Sequence, residues 1–276
     1  MLKTVNKLVF NHHRSFDSST EYILLIHGMD SAKETWTPVI KSEKLKNFNI
    51  FALDLHGHGE TQNQNDIFTT EQMVEDIHNF IQENSIPPFF IVGHSMGSRV
   101  AIPYCAKYPK TVRGLVIEDM DIKKYEIPKK NPEELKKFSD IIDSEKELFL
   151  EYEKFGYKKD QVNKWLEDGR IKKIKDKFYC GIRPYVTFSS AKNLLGTDDA
   201  KYAFESLASL NVDILLMEAE KFSAISKKSL EEMKKINPKM KHVLVKNSTH
   251  SIHKDESHDE FISILISFLN EKLNKK

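Results

Sequence analysis

The sequence predicts an α/β fold, a mainly parallel sheet with helices on both faces. Three observations predict it. Short apolar runs alternate with segments of helical period through the first 119 residues, the joints between them are short, and the alternation returns near residue 202 after a charged excursion. In a sheet of this kind ligands bind beyond the carboxyl ends of the strands. Four polar residues, His27, Asp54, Ser95 and Asp119, stand at such ends.

In chain order, Leu8 to Phe10 and Tyr22 to Ile26 read as strands, the second closing on His27-Gly28. A helical stretch around Trp36 to Leu45 leads to a strand at Ile50 to Leu53, which ends on Asp54. Met73, Ile77, Phe80 and Ile81 recur at helical spacing from Thr70 to Glu83, and Thr69 and Thr70 supply hydroxyls suited to its N-terminus. Phe89 to Val92 is a fully apolar strand, Ser98 to Lys107 a helix with Pro103 in its interior, and Leu115 to Ile117 the next strand. After the excursion, helices are expected at Tyr202 to Leu210, Ser229 to Ile236 and Phe261 to Leu269, with strands at Ile214 to Met217 and His242 to Val245.

The excursion, residues 122–197, is rich in lysine and glutamate and carries apolar residues at helical spacing (Leu135, Phe138, Ile141, Ile142, Leu148, Phe149, Tyr152). Long structureless loops are uncommon in compact domains, so the segment reads as a helical lid inserted into a core made of residues 1–121 and 198–276. The lysines between Ile171 and Lys177 read as a solvated helix face.

Bulk properties narrow the function. A net charge of +1 and a pI near 7.7 give no nucleic-acid footprint. Cys105 and Cys180 lie too far apart to suggest a metal pair, and Cys105 reads as a buried apolar residue. Lys3, Asn6 and Lys7 interrupt any apolar leader, and no run is long enough to cross a bilayer. The expectation is a cytoplasmic protein acting on a small molecule, without nucleic acid, membrane span or cofactor. Composition leaves the oligomeric state open.

The most informative stretch is Ile91-Val92-Gly93-His94-Ser95-Met96-Gly97. Strand, Gly-x-Ser-x-Gly and helix in succession put a serine on a sharp turn, its Oγ exposed above the sheet, with the helix dipole aimed at it. Ser95 is the candidate nucleophile. In that geometry the backbone N–H of Met96 faces a developing oxyanion.

Together with His27-Gly28, the turn Asp54-Leu55-His56-Gly57-His58-Gly59 and the run Asn247-Ser248-Thr249-His250-Ser251-Ile252-His253, this motif resembles the α/β-hydrolase superfamily over nearly the whole chain. The resemblance implies about eight strands with a cap after the sixth. It implies His250 as the base, with His253 and His258 as nearby surface alternatives, and the N–H of Met29 as the second oxyanion donor. It makes Asp54 and the His56 to Gly59 turn structural; the two histidines there lack further ligands at zinc-like spacing.

The acid departs from the commoner family pattern. In many relatives an Asp follows the seventh strand, where this chain has Ala219-Glu220-Lys221-Phe222-Ser223, so Phe222 occupies the acid's place. Other relatives place the acid after the sixth strand, which matches Asp119 in Glu118-Asp119-Met120-Asp121. Asp119 is the first candidate and Glu220 the second. Asp121 is a further rival, and Glu118 one that should face away by strand alternation.

The resemblance points to small esterases and acyl-thioesterases. The first expectation is hydrolysis of a carboxylic ester or thioester through an acyl-enzyme on Ser95. The alternative keeps the triad but cleaves a carbon–carbon bond or eliminates pyruvate, with Arg99 holding a substrate carboxylate. A third reading is a non-catalytic ligand-binding member. Trp165, Phe178, Tyr179, Tyr185 and Phe188 are candidate pocket or lid-packing residues, and Arg183 and the nearby lysines candidate attractors of an anionic group.

Overall fold

Six strands of the main sheet form on the expected apolar runs, the first lies at Phe10–His13 just past the expected Leu8 to Phe10, and alternation decides which residues meet on each side of the sheet. The computed structural model describes residues 7–15, 21–61, 65–254 and 256–273. Its first half contains β1 (Phe10–His13), β2 (Tyr22–Ile26), α1 (Thr37–Ile40, flanked by short 3₁₀ turns), β3 (Asn49–Leu53), α2 (Thr70–Glu83), β4 (Phe89–His94), α3 (Ser98–Lys107) and β5 (Val112–Glu118). The segment that follows holds α4 (Pro132–Leu135), β6 (Ile141–Ile142), α5 (Glu145–Lys154), α6 (Lys159–Glu167), β7 (Ile171–Ile174), β8 (Lys177–Cys180) and α7 (Pro184–Ser190, continued by a π-turn at Ala191–Leu195). The chain closes with α8 (Asp199–Leu207), β9 (Ile214–Ala219), α9 (Lys227–Ile236), β10 (Lys241–Val245) and α10 (His258–Leu273).

The main sheet has seven strands among the described residues, in the order β1-β3-β2-β4-β5-β9-β10. Only β1 runs antiparallel. The expectation of eight strands is therefore corrected to seven among the described residues, the number of strand-like runs in the core sequence. Residues 122–197 accordingly follow the fifth strand, β5, rather than a sixth.

Alternation sorts the core into two layers. Phe89 and Ile91 of β4 pack with α2, α3 and α8, while Phe90 and Val92 pack with α10 and Trp36 on the other face. Thr69 caps α2 by accepting from the Gln72 N–H at 3.2 Å. Helix α3 runs through Pro103 to Lys107.

Residues 122–197 are not purely helical. β6, β8 and β7 pair as a small antiparallel sheet, and the lysine run expected on a helix face is the β7–β8 hairpin. Phe178 and Cys180 face inward and Lys177 and Tyr179 outward, a two-residue period that four residues of strand are too short to announce. The segment carries its own apolar cluster, with Phe138, Leu148, Tyr152, Trp165 and Phe178 at its centre. Trp165 and Phe178 are thus packing residues.

Candidate active site

Ser95 stands one residue beyond the end of β4 with φ +50°, a left-handed conformation uncommon for a residue with a Cβ. The turn is that tight because α3 must start at once. A Cβ on Gly97 would lie 2.4 Å from the Ile26 carbonyl oxygen and 2.6 Å from that of His27, so only glycine lets the turn press against β2. The neighbouring turn after β2 presses equally close, since a Cβ on Gly28 would come within 3.2 Å of Ser95 Cβ. Met29 follows in that turn and Met96 follows Ser95.

Asp119 repeats the device on the next strand. β4 and β5 are parallel, His94 is in register with Glu118, and Asp119, like Ser95, comes next with positive φ, here +45°. The two side chains rise side by side. His250, in the turn after β10, bridges them: Nδ1–H donates to Asp119 Oδ2 at 2.6 Å, and Ser95 Oγ–H donates to Nε2 at 2.9 Å. The tautomer follows from the carboxylate, which can only accept.

The loop after β9 holds the carboxylate in place. Asp119 Oδ1 accepts from the Ala219 N–H (2.9 Å) and the Ser223 hydroxyl (2.7 Å), and Oδ2 accepts from the Ala224 N–H (3.0 Å). Burial pushes the Asp119 carboxyl up, but these bonds and that of His250 outweigh it and hold it below the usual range. Phe222, in the same loop, is 88% exposed at φ +55°. The end of β9 and the loop after it thus supply three donors to a carboxylate at the end of the neighbouring strand.

The other carboxylates go elsewhere. Glu220 accepts from Lys246 Nζ and the Asn247 N–H, both at 2.9 Å. Asp121 is buried, accepts from the Tyr125 hydroxyl at 2.9 Å and lies 3.6 Å from Arg99. Glu118 turns to the opposite face and accepts from the backbone N–H and the Nδ1–H of His253, each at 2.9 Å.

Two sequence expectations fail at this point. His253 is not a surface residue but fully buried, with its ring against Trp36 (centroids 4.1 Å apart) and its Nε2 bonded to Thr35 Oγ1 at 2.9 Å. His258, partly buried, bonds to the His253 carbonyl at 2.6 Å. Arg99 does not present a free cation to a crevice: it is fully buried, donates to the Lys123 carbonyl and sits beside Asp121 and the Tyr125 ring.

The turn after β2 is tied to residues 122–197. Asp30, at φ +50°, accepts through Oδ1 from Thr187 Oγ1 (2.5 Å) and the Tyr157 hydroxyl (3.4 Å), while Arg170 donates to its carbonyl at 2.5 Å. Arg183 donates to the carbonyls of Gly57 and Gly59, so it too braces this junction. A cleft of about 540 Å³ lies over the same junction, lined in part by Glu34, Glu60, Arg170, Lys172 and Tyr179. None of Ser95, Asp119 and His250 lines it, and its cations are already paired with acids. It therefore offers no argument for where the chemistry occurs.

Among the described residues, His94, Glu118 and His253 are the set of ligand-type side chains that converge closely enough to hold a metal ion. Glu118 and His253 already satisfy each other, and a cation would have to break those bonds. His56 and His58 are occupied by backbone oxygens, those of Asn65 (2.8 Å) and His56 (3.0 Å).

Buried histidines give the fold a pH dependence. Burial lowers His94 to about 3, lowers His27, and takes His58 well below 6.5. Each takes its proton at lower pH in the fold than once unfolded, near pH 6.5, so the stability it contributes is full above that value and is lost as the pH falls below it. Each such group contributes up to about 1.4 kcal/mol per pH unit. Glu118, pushed up to about 7 by burial, opposes them with a single proton. Urea midpoints measured from pH 7 down to pH 5 are expected to fall steadily; a flat profile would contradict the assignment.

Sequence reasoning missed His94, the Glu118–His253 pair and Asp30. The signal for the first two was present: each of His94 and Glu118 is a polar residue ending an apolar strand, one position before a candidate site residue.

The family model described as alpha/beta hydrolase fold matches residues 21–257. Human monoacylglycerol lipase ABHD6 is 36% identical over 98 residues, which are 34% of this chain and 29% of that protein. The chain thus spans under a third of the length of that relative. A marine microorganism esterase superposes with TM-score 0.74 at 22% identity, covering 95% of this chain and 99% of its own. The thioesterase domain from the curacin biosynthetic pathway superposes with TM-score 0.70 at 18% identity, covering 95% of both chains. At these identities the superpositions speak for the fold alone. Among the described residues, no helix is long and apolar enough to cross a membrane.

Proposed function

The chain belongs to the α/β-hydrolase fold family, and from that premise we propose that it is a serine hydrolase cleaving carboxylic esters or thioesters through an acyl-enzyme on Ser95. One observation carries the reading: the continuous line from Asp119 Oδ2 through His250 to Ser95 Oγ, 2.6 and 2.9 Å long.

In this reading Ser95 Oγ attacks the substrate carbonyl carbon and its proton passes to His250 Nε2. Asp119 keeps the imidazole in the tautomer that can accept that proton and stabilises the cation that results. The carbonyl's π pair moves onto its oxygen, facing the N–H groups of Met29 and Met96, and each such donor is typically worth about 3 kcal/mol in the transition state. When the tetrahedral intermediate collapses, the leaving alcohol or thiol departs with the proton from Nε2. Water, deprotonated by the same nitrogen, then releases the acid and restores Ser95. The segment 122–197, tied to the Met29 turn through Asp30, is the proposed cap that selects the acyl chain and the leaving group.

Carbon–carbon cleavage with Arg99 as carboxylate clamp loses support, because that guanidinium is buried beside Asp121. A purely ligand-binding role has no use for the hydrogen-bonded line.

Incubation with a fluorophosphonate, followed by peptide mass spectrometry, is expected to find the adduct on Ser95. Nitrophenyl esters and acyl-CoA thioesters of graded length are expected to show a chain-length optimum. A folded protein that takes no adduct, or takes it elsewhere, ends the proposal.

A further inference from the structure

Beneath the line of Asp119, His250 and Ser95 lies a second set of polar side chains, on the opposite face of the same strands. His94 and Glu118 are register partners at the ends of β4 and β5, each one residue before a residue of the upper line. Alternation sends them down as Ser95 and Asp119 rise. Both reach the loop that bears His250. His94 Nε2 lies 2.9 Å from the His250 carbonyl oxygen, and Glu118 grips His253 by its backbone N–H and its ring. Residues 250 to 253 are therefore clamped at both ends by the two strands whose next residues the imidazole must bridge.

We infer that His94 is a positioning residue for His250: its Nε2–H fixes the His250 carbonyl and, through it, the direction in which the imidazole meets Ser95. The inference rests on the reading of His250 as the base. A carbonyl oxygen only accepts, so the proton of the neutral His94 ring sits on Nε2 and leaves Nδ1 bare. Nδ1 is buried without a hydrogen-bond partner, 2.8 Å from where a Cβ on Gly28 would stand. A residue present only to fill space would not bring that orphaned acceptor into the core. The ring also sits directly beneath its target, His94 and His250 centroids being 4.9 Å apart. The charged and titratable groups facing it are Glu118, His253 and His250.

Two amide substitutions separate this role from packing. Glutamine can place its NH₂ near the position of Nε2, whereas asparagine reaches only that of Nδ1, short of the carbonyl. His94→Gln is expected to keep kcat for a nitrophenyl ester within about fivefold. His94→Asn is expected to lower kcat by about 10- to 100-fold with KM within twofold, the penalty of a base displaced by a fraction of an ångström to an ångström. The rate of fluorophosphonate labelling should fall in parallel, with both variants assayed well below their melting midpoints. Equal kcat in the two variants, with wild type labelled at Ser95, overturns the role of His94 alone. A wild-type protein that takes no label at Ser95 overturns the acyl-enzyme reading beneath it.

Discussion

Asparagine in place of Asp119 is expected to lower kcat for ester hydrolysis by about 10⁴-fold while KM stays within a few fold. The geometry makes the sign unambiguous. An amide oxygen at Oδ1 can keep the bonds from the Ala219 N–H and Ser223, but an NH₂ at Oδ2 would face two donors, the His250 Nδ1–H and the Ala224 N–H. The ring escapes by moving its proton to Nε2, where it points at Ser95 and can no longer take a proton from the hydroxyl. The imidazolium of the transition state also loses its counter-charge. Together these are worth about 5.5 kcal/mol, the free-energy equivalent of that rate. Glu220→Gln should leave kcat within about threefold, because its carboxylate serves Lys246 and Asn247. Steady-state kinetics on the two variants decide between the candidate acids: a large loss in Glu220→Gln with little in Asp119→Asn would exchange their roles.

Most of the fold was legible because the core strands are unbroken apolar runs closed by a polar or glycine residue. β2, β3 and β4 begin and end within two residues of where composition puts them. The segment 122–197 was less legible for a physical reason. Its small sheet is built from strands of two to four residues, and β7 carries one lysine on each face, Lys172 and Lys173, a pattern that reads as well on a helix as on a hairpin. The turn at Lys175, at φ +55°, carries no glycine to announce it. His253 was misjudged because a histidine in a polar loop looks exposed until Glu118, 135 positions away, is brought beneath it. The same long-range pairing explains why the fate of Glu220 and Asp121 could not be read from sequence: each sits close enough in the chain to be the acid, and only the loops after β5 and β9 decide which carboxylate meets the ring. What the sequence did carry was the period of two. Alternation alone separates Glu118 from Asp119 and His94 from Ser95.

Replacing Lys33 with methionine tests the brace on which the other side of the site rests. Lys33 is buried, its side chain 3% exposed, yet it is charged: burial pulls its pKa down and Asp54, Glu60 and Glu34 pull it further up, with a net rise. Its Nζ donates to Asp54 Oδ2 at 2.7 Å and its backbone N–H to Oδ1, also at 2.7 Å. The fully buried Asp54 carboxylate takes a third donor, the Glu60 N–H, and fills the hollow where a Cβ on Gly59 would collide at 2.3 Å. Methionine matches the stem's volume but leaves Asp54 as a buried anion with two donors and no counter-charge. Breaking such a pair from one side costs about 3–5 kcal/mol. For a chain of this size the lower figure corresponds to roughly 5–10 °C in Tm. A Lys33→Met/Asp54→Asn double variant should recover part of the loss, since the uncompensated charge is then gone. Additive losses would show the two residues to be independent, and the brace would then have to lie elsewhere in the turn. Kinetics at 25 °C should change less than stability does, because the pair touches the line of Asp119, His250 and Ser95 only through intermediaries. One is His27, whose Nε2 accepts the Leu55 N–H at 3.1 Å, and the other is Arg183, which donates to the carbonyls of Gly57 and Gly59.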